Sequence, residues 1–413
     1  MKNSLRQEPV INTFIYYSAL IFNIFIGWIT TKINTNYLEI SAFGQLSFFI
    51  TFITLSRSFF SFGVFESTSR LVAVSKDDAE NARLIGASLV LALLFSVFAS
   101  LFLLICGFYI DNIFEVKIGI LCQQFAFGIG LYVLISHLSL TLRGCGYIKS
   151  LSLLTVGSKI IYLLLLVLII YTRPFTVQST LSAMFIGLGI VLIFGWISLK
   201  PSLTAIQQKL TVIWNEVKSY GRHIYVSVIW ADLLIHVDKF LISYFLDEQS
   251  MAYYGLAFAI SFPLTHFSTS LATSLFNRFA TDKEISHKVI YGNLTFVFFS
   301  VILFILLREP IVIYLFSSEY LPTIELLPPL ALAFGFSGLS KPYTLFLMAR
   351  KQGEVVRNIS ILIPTLQIIL CIFIIPVYGI LGAAWIACFV YAFDFVLFII
   401  FYHRFVRTET KEK

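Results

Sequence analysis

Four ionisable side chains lie in the interior of one apolar stretch that has the length of a membrane span. Residues 222–246 read RHIYVSVIWADLLIHVDKFLISYFL and contain Asp232, His236, Asp238 and Lys239. Each charge at bilayer depth costs about 2–3 kcal/mol on insertion scales, so these groups need partners or a water-filled cavity rather than lipid. Carboxylates and a histidine in such a place can bind a cation or exchange a proton, which indicates transport.

The spacing of these groups on a helix leaves two interpretations open. Asp232, His236 and Lys239 fall within about 60° of one another, whereas Asp238 lies about 100° away. The first three could compensate one another, or Asp232 or His236 could exchange a proton or bind sodium during transport. Asp238 is a candidate for helix packing, substrate contact or ion coupling.

Three further cations interrupt other apolar stretches, at Arg57, Lys159 and Lys341. A guanidinium can hold a phosphate through two parallel hydrogen bonds, so Arg57 is the leading candidate for binding an anionic substrate. The alternative is that these side chains reach towards the membrane surface or pair with acids of neighbouring helices. We expect Asp394, an isolated acid in the last apolar stretch, to pair with Lys341, and it is also a candidate for ion coupling.

The composition is that of a polytopic membrane protein. Of 413 residues, 58% are hydrophobic and only 12% are charged, against about a quarter charged in soluble domains. The five cysteines have no metal or redox spacing, so we expect neither disulfides nor a cofactor. His137 and His266 stand alone, and no metal site is predicted. The apolar run near the start is long enough to span, and we expect it to be an uncleaved first helix.

Windows of about 20 apolar residues predict twelve transmembrane helices. Their approximate bounds are 10–31, 41–65, 84–108, 119–142, 151–171, 180–199, 222–246, 252–277, 289–307, 323–348, 359–376 and 379–402. Alternate connections, counted with both tails and with Arg222 at the boundary of the seventh span, hold 21 of the 29 Lys and Arg residues, and the opposite connections hold 4. Because cytoplasmic loops are enriched in these residues, both termini should be cytoplasmic. The net charge of +7 is therefore a topology signal, and no nucleic-acid partner is expected.

Weak internal repetition predicts two six-helix lobes. An aromatic residue followed by glycine enters span 2 at Phe43-Gly44 and span 8 at Tyr254-Gly255. We therefore predict an amino-terminal lobe at 1–199, a cytoplasmic linker at 200–221, a carboxy-terminal lobe at 222–402 and a cytoplasmic tail at 403–413.

Several short segments resemble one transporter family. They are AFGQ at 42–45, DKFLISYF at 238–245, YGLAFAISFP at 254–263 and YGILGAA at 378–384. Together they are similar to the polysaccharide, or O-antigen, flippases of the multidrug/oligosaccharidyl-lipid/polysaccharide (MOP) exporter superfamily. The resemblance covers nearly the whole chain, although each motif is loose.

The resemblance implies an all-α, V-shaped, MATE-like bundle with a central cavity lined mainly by spans 1, 2, 7 and 8. It implies movement of an undecaprenyl-diphosphate-linked oligosaccharide across the bacterial inner membrane by alternating access. A polyprenyl-diphosphate-linked oligosaccharide, a coupling proton or sodium ion and the bilayer are the expected partners, with the polysaccharide polymerase and chain-length regulator beside them. Pro263, midway along span 8, is the expected hinge.

Two other functions stay open. A multidrug cation antiporter of the same superfamily would need net acid towards its cavity, whereas a diphosphate carrier needs net base. A membrane glycosyltransferase or polymerase should carry a sizeable extramembrane loop with catalytic carboxylates, and the predicted outer connections are short. We therefore expect a flippase rather than an enzyme.

Overall fold

The computed structural model describes residues 4–75, 77–279, 281–350 and 352–411. Over these residues the regular structure is helical, with no strand. The predicted all-α class is confirmed.

The chain divides into two compact units, Met1–Asp232 and Leu233–Lys413. Residues 200–221, predicted as a linker, belong to the first unit. The helices of the first unit are α1 Ser4–Tyr37, α2 Ile40–Ser56, α3 Val64–Val74, α4 Asp78–Tyr109, α5 Gly119–Gln124, α6 Phe127–Gly144, α7 Ile148–Thr172, α8 Val177–Leu199, α9 Ile206–Glu216 and the beginning of α10 Arg222–Phe245.

The second unit contains the rest of α10 and seven further helices. They are α11 Glu248–Ser261, α12 His266–Ser274, α13 Phe276–Phe279, α14 His287–Leu306, α15 Arg308–Leu315, α16 Thr323–Ala349 and α17 Gly353–Lys411. A kink at Gly379, with φ +59° and ψ −149°, divides α17 into two helical segments. This kink coincides with the predicted start of the last span.

Each predicted span coincides with one helix, a segment of one, or a run of short helices. Eight of the described helices are long and apolar enough to cross a membrane, which shows a multi-pass membrane protein. The number twelve and the cytoplasmic position of the termini stay predictions.

Polar contacts at a few places join the helices of the first unit. Asn34 on α1 donates a hydrogen bond to the Tyr162 hydroxyl on α7 at 2.9 Å, inside a small apolar core. His137 on α6 lies 2.9 Å from the Ser88 hydroxyl on α4. Buried polar groups need such partners, so these pairs fix the register of the helices.

The second span is broken rather than continuous. A 3₁₀ turn, Arg57–Phe60, follows α2, and Phe62 and Gly63 then adopt φ values of +47° and +70°. The left-handed conformation ends the helix, and α3 starts afresh at Val64. Non-helical backbone of this kind occurs at membrane depth only where protein buries it or where it lines a water-filled cavity.

Helix α9 packs against the ends of α3 and α4. Lys209 lies 2.5 Å from Glu80 of α4, and Glu216 pairs with Arg70 of α3. Ile213 faces inward and is 1% exposed. The following π-helical turn, Val217–Gly221, leads into α10, so the segment before α10 is part of the first unit's packing.

Proline-containing helices organise the second unit. Helix α16 carries Pro328, Pro329 and Pro342 and packs against α11, α12, α14 and α17. Pro263 lies in the 3₁₀ turn Phe262–Thr265 that separates α11 from α12. The structure thus breaks span 8 at the predicted hinge, while its movement stays a prediction.

Replacing Gly63 with alanine should destabilise the first unit. A Cβ at Gly63 would overlap the carbonyl oxygen of Gly221, and alanine at this positive φ costs at least about 1 kcal/mol more than glycine. We expect a lower thermal-unfolding midpoint for the purified protein. Gly189→Ala is the matched control because nothing lies within 4 Å of its added Cβ. Equal midpoints for the two variants would contradict the close approach.

Candidate functional site

Arg57 begins the 3₁₀ turn that breaks the second span. Its Nη1 donates a hydrogen bond to the Ser136 hydroxyl of α6 at 2.5 Å, and Ser136 in turn donates to the Tyr132 carbonyl. Among the described residues, the buried Nε has no hydrogen-bond partner, and no carboxylate forms a salt bridge with Arg57. Since a guanidinium has five N–H donors, most of this binding capacity is unused.

Asp232 lies beside the same turn. Its Oδ2 accepts a hydrogen bond from the buried hydroxyl of Ser58, the residue after Arg57. Seven residues earlier on α10, the Tyr225 hydroxyl donates to the Phe59 carbonyl at 2.9 Å. The beginning of α10 is therefore tied to the broken span, which brings Asp232 and Arg57 into one neighbourhood.

Glu66 belongs to this neighbourhood and was missed by the sequence analysis. It lies in the first turn of α3, beyond the span Ile40–Phe60, and its Oε2 is buried without a hydrogen-bond partner among the described residues. Burial raises the pKa of Glu66, while its own backbone N–H and the charge of Arg57 act in the opposite direction. One feature of the sequence could have identified Glu66: it is an acid that immediately follows a predicted span ending at residue 65.

Lys159 lies apart from these residues, on α7, and its side chain is exposed. The exposed apolar residues Leu153, Ile160 and Leu164 form one stripe, and Lys159 is about 100° from Ile160 around the helix. Lys159 therefore does not share the apolar stripe that suits lipid.

In the second unit, Asp238 and Lys239 form a buried network. They are 2% and 4% exposed, and Lys239 Nζ lies 3.4 Å from Asp238 Oδ1. The Tyr254 hydroxyl donates to Asp238 Oδ2 at 2.5 Å, and Lys239 Nζ donates to the Ile235 carbonyl at 2.6 Å. Lys239 Nζ also lies 3.3 Å from the centre of the Phe258 ring. The network joins α10 to α11.

This network bears on one of the two interpretations that the helical wheel left open, the mutual compensation of Asp232, His236 and Lys239. The salt bridge of Lys239 is with its neighbour Asp238 and not with Asp232. A lysine stem is long and flexible, so its ammonium can reach acids that the wheel places on another face. His236 is half-buried on the same helix.

Lys341 and Asp394 attract each other electrostatically but form no salt bridge in the described structure. Asp394 Oδ2 instead accepts a hydrogen bond from the Ser340 hydroxyl at 2.8 Å. The expected pairing is present as an electrostatic interaction, and the preceding serine supplies the direct hydrogen bond to the carboxylate. Both charged side chains are half-buried.

Among the described residues, no group of three or more His, Cys, Asp and Glu side chains is arranged to hold a metal ion. His137 contacts Ser88, and His266 packs against the Phe262 ring with the ring centres 5.3 Å apart.

Residues 10–276, the part that contains Arg57, Glu66 and the Asp238 network, match a family model described as polysaccharide biosynthesis protein. The chain belongs to this family. No curated protein matches the chain.

Solved structures show the fold of this family member. The lipid II flippase MurJ in an inward closed conformation has a TM-score of 0.73 at 15% identity, over 94% of this chain and 87% of its own. An inward-facing multidrug resistance MATE transporter of the MOP superfamily has a TM-score of 0.76 at 14% identity, over 97% and 99%.

A third similar structure is a MOP superfamily transporter from Pyrococcus furiosus, described as having a binding pocket of reverse polarity. Its TM-score is 0.58 at 16% identity, over 96% of this chain and 94% of its own. Family and fold together make this polysaccharide biosynthesis family member a multi-pass transporter of the MOP exporter type.

The Asp238 network should contribute strongly to stability. Asp238→Asn leaves the buried ammonium of Lys239 without a counter-ion, and breaking such a pair costs about 3–5 kcal/mol. The double variant Asp238→Asn/Lys239→Met removes both charges and should recover part of the loss. Thermal unfolding of the purified protein measures both. The exposed Asp282→Asn is the control, and a loss in Asp238→Asn no larger than in this control would contradict the role of the network.

Proposed function

We propose that this chain is a flippase that moves an undecaprenyl-diphosphate-linked oligosaccharide across the bacterial inner membrane. The oligosaccharide would be a repeat unit of O-antigen or another surface polysaccharide. Membership of the polysaccharide biosynthesis family and the similarity to a lipid II flippase support a lipid-linked substrate. The observation that carries the proposal is Arg57, a cation with unused donors at the break of the second span.

The chemistry of the substrate explains why such a cation is needed. A diphosphate cannot enter hydrocarbon without replacing its water and counter-ions, and hydrogen bonds from a charged guanidinium can replace both. Ser136 holds one nitrogen of Arg57, so the planar group is oriented before substrate arrives. An oriented donor loses less entropy on binding than a free one.

Lys159 and Lys341 are proposed as secondary cations on the substrate's path. The exposure of Lys159 away from the apolar stripe of α7 supports this role. Lys341 is half-buried, and Ser340 rather than Lys341 contacts Asp394, which leaves the ammonium able to meet an anion. A small cationic drug would gain nothing from these three groups, so we favour the lipid diphosphate over the multidrug substrate.

We propose alternating access coupled to a proton or sodium ion, with Asp232 and His236 as the first candidates for the coupling site and Asp394 as a further one. Asp238 is assigned to helix packing, because its network with Lys239 and Tyr254 is buried and satisfied. Transport leaves the substrate covalently unchanged, so we propose no enzymatic step. The polymerase and chain-length regulator of the pathway would receive the delivered repeat unit.

Arg57→Ala should abolish export of surface polysaccharide while the protein still reaches the membrane. Arg57→Lys keeps the charge without the planar fork, so partial export is expected. The measurement is complementation of a strain lacking its own flippase, with protein level determined in the membrane fraction. Arg173→Ala, an exposed arginine, is the control. Normal export by Arg57→Ala at normal protein level would refute the phosphate-binding role.

Ion coupling is tested in proteoliposomes with a fluorescent lipid-linked oligosaccharide. An imposed proton or sodium gradient should accelerate flipping, and Asp232→Asn should lose this response because a neutral amide neither carries a proton nor attracts a cation. If neither acidification nor a sodium gradient alters flipping by the unmodified protein, the coupling role of Asp232 and His236 is wrong.

A further inference from the structure

Glu66 is an acid beside the proposed phosphate site that the predicted coupling residues do not include. We propose that Glu66 is a proton-binding site and the resting counter-ion of Arg57. Its ionised form competes with substrate phosphate for the guanidinium, and substrate binding is accompanied by proton uptake. This inference rests on the proposed function, because it requires a phosphate-bearing substrate at Arg57.

The break in the second span makes this interaction possible. In a continuous helix, nine residues would separate Arg57 and Glu66 by roughly 13 Å along the axis. The positive φ values at Phe62 and Gly63 turn the chain between them instead. The Glu66 carboxyl then lies within the electrostatic influence of Arg57 without forming a salt bridge. The two charges therefore influence each other without a salt bridge among the described residues.

The surroundings of Glu66 leave its charge poorly compensated. One carboxyl oxygen is buried without a hydrogen-bond partner among the described residues. An ionised carboxylate in this state is costly, and protonation removes the cost. Burial accordingly raises the pKa of Glu66, and its own backbone N–H and Arg57 oppose that effect. A phosphate bound to Arg57 neutralises the charge that favours ionised Glu66. Phosphate binding therefore stabilises the protonated form of Glu66 relative to the ionised form.

Several charged groups near α3 already have partners. Helix α3 packs against α4, α6, α9 and the Val217–Gly221 turn, and its own Arg70 pairs with Glu216 and lies over the Tyr220 ring. Further contacts on these elements and on α10 join Glu80 to Lys209 and Arg83, Lys218 to the Trp214 ring, His137 to Ser88, Tyr225 to the Phe59 carbonyl and Asp232 to Ser58.

Arg57 and Tyr225 interact electrostatically with Glu66. Tyr132 and Arg143 on α6 complete the titratable groups of the helix that carries Ser136, and Tyr132 also lies in the field of Arg57. Arg57 is thus a positive charge that favours the ionised form of Glu66 and opposes the larger effect of burial.

Linkage fixes the direction of the pH effect. If phosphate binding favours the protonated form of Glu66, then protonation of Glu66 must tighten phosphate binding by the same factor. Affinity should therefore rise as the pH falls through the titration of Glu66. In this proposal Glu66 is protonated when the substrate is bound. This proton is separate from the coupling ion proposed for Asp232.

The test uses the purified full chain in detergent with farnesyl diphosphate as the probe. Isothermal titration calorimetry in buffers of different ionisation enthalpy counts the protons taken up at pH 7.5, where a phosphate with a second pKa near 6 is already ionised. The unmodified protein should take up a fraction of a proton on binding, and a larger fraction the stronger the coupling. Glu66→Gln should take up none and should bind at pH 7.5 roughly fivefold tighter or more, which is the lower end of typical coupling.

The controls separate this inference from the proposed function. Glu115→Gln, an exposed acid of the first unit, should behave as the unmodified protein. If Glu66→Gln keeps the proton uptake and affinity of the unmodified protein, the role of Glu66 is overturned while phosphate binding stands. If Arg57→Ala binds the probe normally, the phosphate site itself is wrong. Should Glu66→Gln fail to fold, the unmodified protein decides, because binding without proton uptake refutes the inference.

Discussion

An ionised side chain at membrane depth has to be compensated, and this requirement shapes both units of the molecule. The two units meet it in different ways. In the second unit, Asp238 and Lys239 neutralise each other in a buried network closed by Tyr254. In the first unit, Arg57 has a serine as its direct partner and a nearby acid that does not bond to it. A satisfied pair stabilises a helix contact, whereas an unsatisfied cation can bind an anion.

The break in the second span follows from the same requirement. A continuous helix satisfies its own backbone and offers nothing to a substrate, but a turn through Phe62 and Gly63 exposes carbonyls such as that of Phe59, which Tyr225 then binds. Gly63 also permits close contact with Gly221, immediately before α10. The glycine pair, the turn and the position of Arg57 therefore depend on one another.

The sequence predicted the helices well because a membrane span is defined by apolar length, a local property. The sequence predicted fewer of the contacts made by the candidate site residues. A hydropathy window averages over the break at residues 61–63 and ends one residue before Glu66. A helical wheel fixes the direction of Cβ but not the reach of Lys239, so the partner Asp238 was missed. The contact of Arg57 with Ser136 joins residues 79 positions apart, and no local pattern encodes it.

The arrangement in the first unit also bears on which substrates can be carried. A permanently paired arginine would have to exchange one full salt bridge for another, and little net affinity would remain for the phosphate. A bare arginine would be costly in the empty protein and would attract any anion. Glu66, held near Arg57 without bonding to it, lies between these extremes. Glu66 lowers the free-energy cost of the arginine charge when no substrate is bound. A ligand replaces Glu66 as the counter-ion only if its negative charge interacts with the guanidinium more strongly than the distant carboxylate does. A diphosphate meets that condition better than a singly charged anion, since each added charge strengthens the attraction. The same acid that stabilises the empty site would thereby contribute to its selectivity.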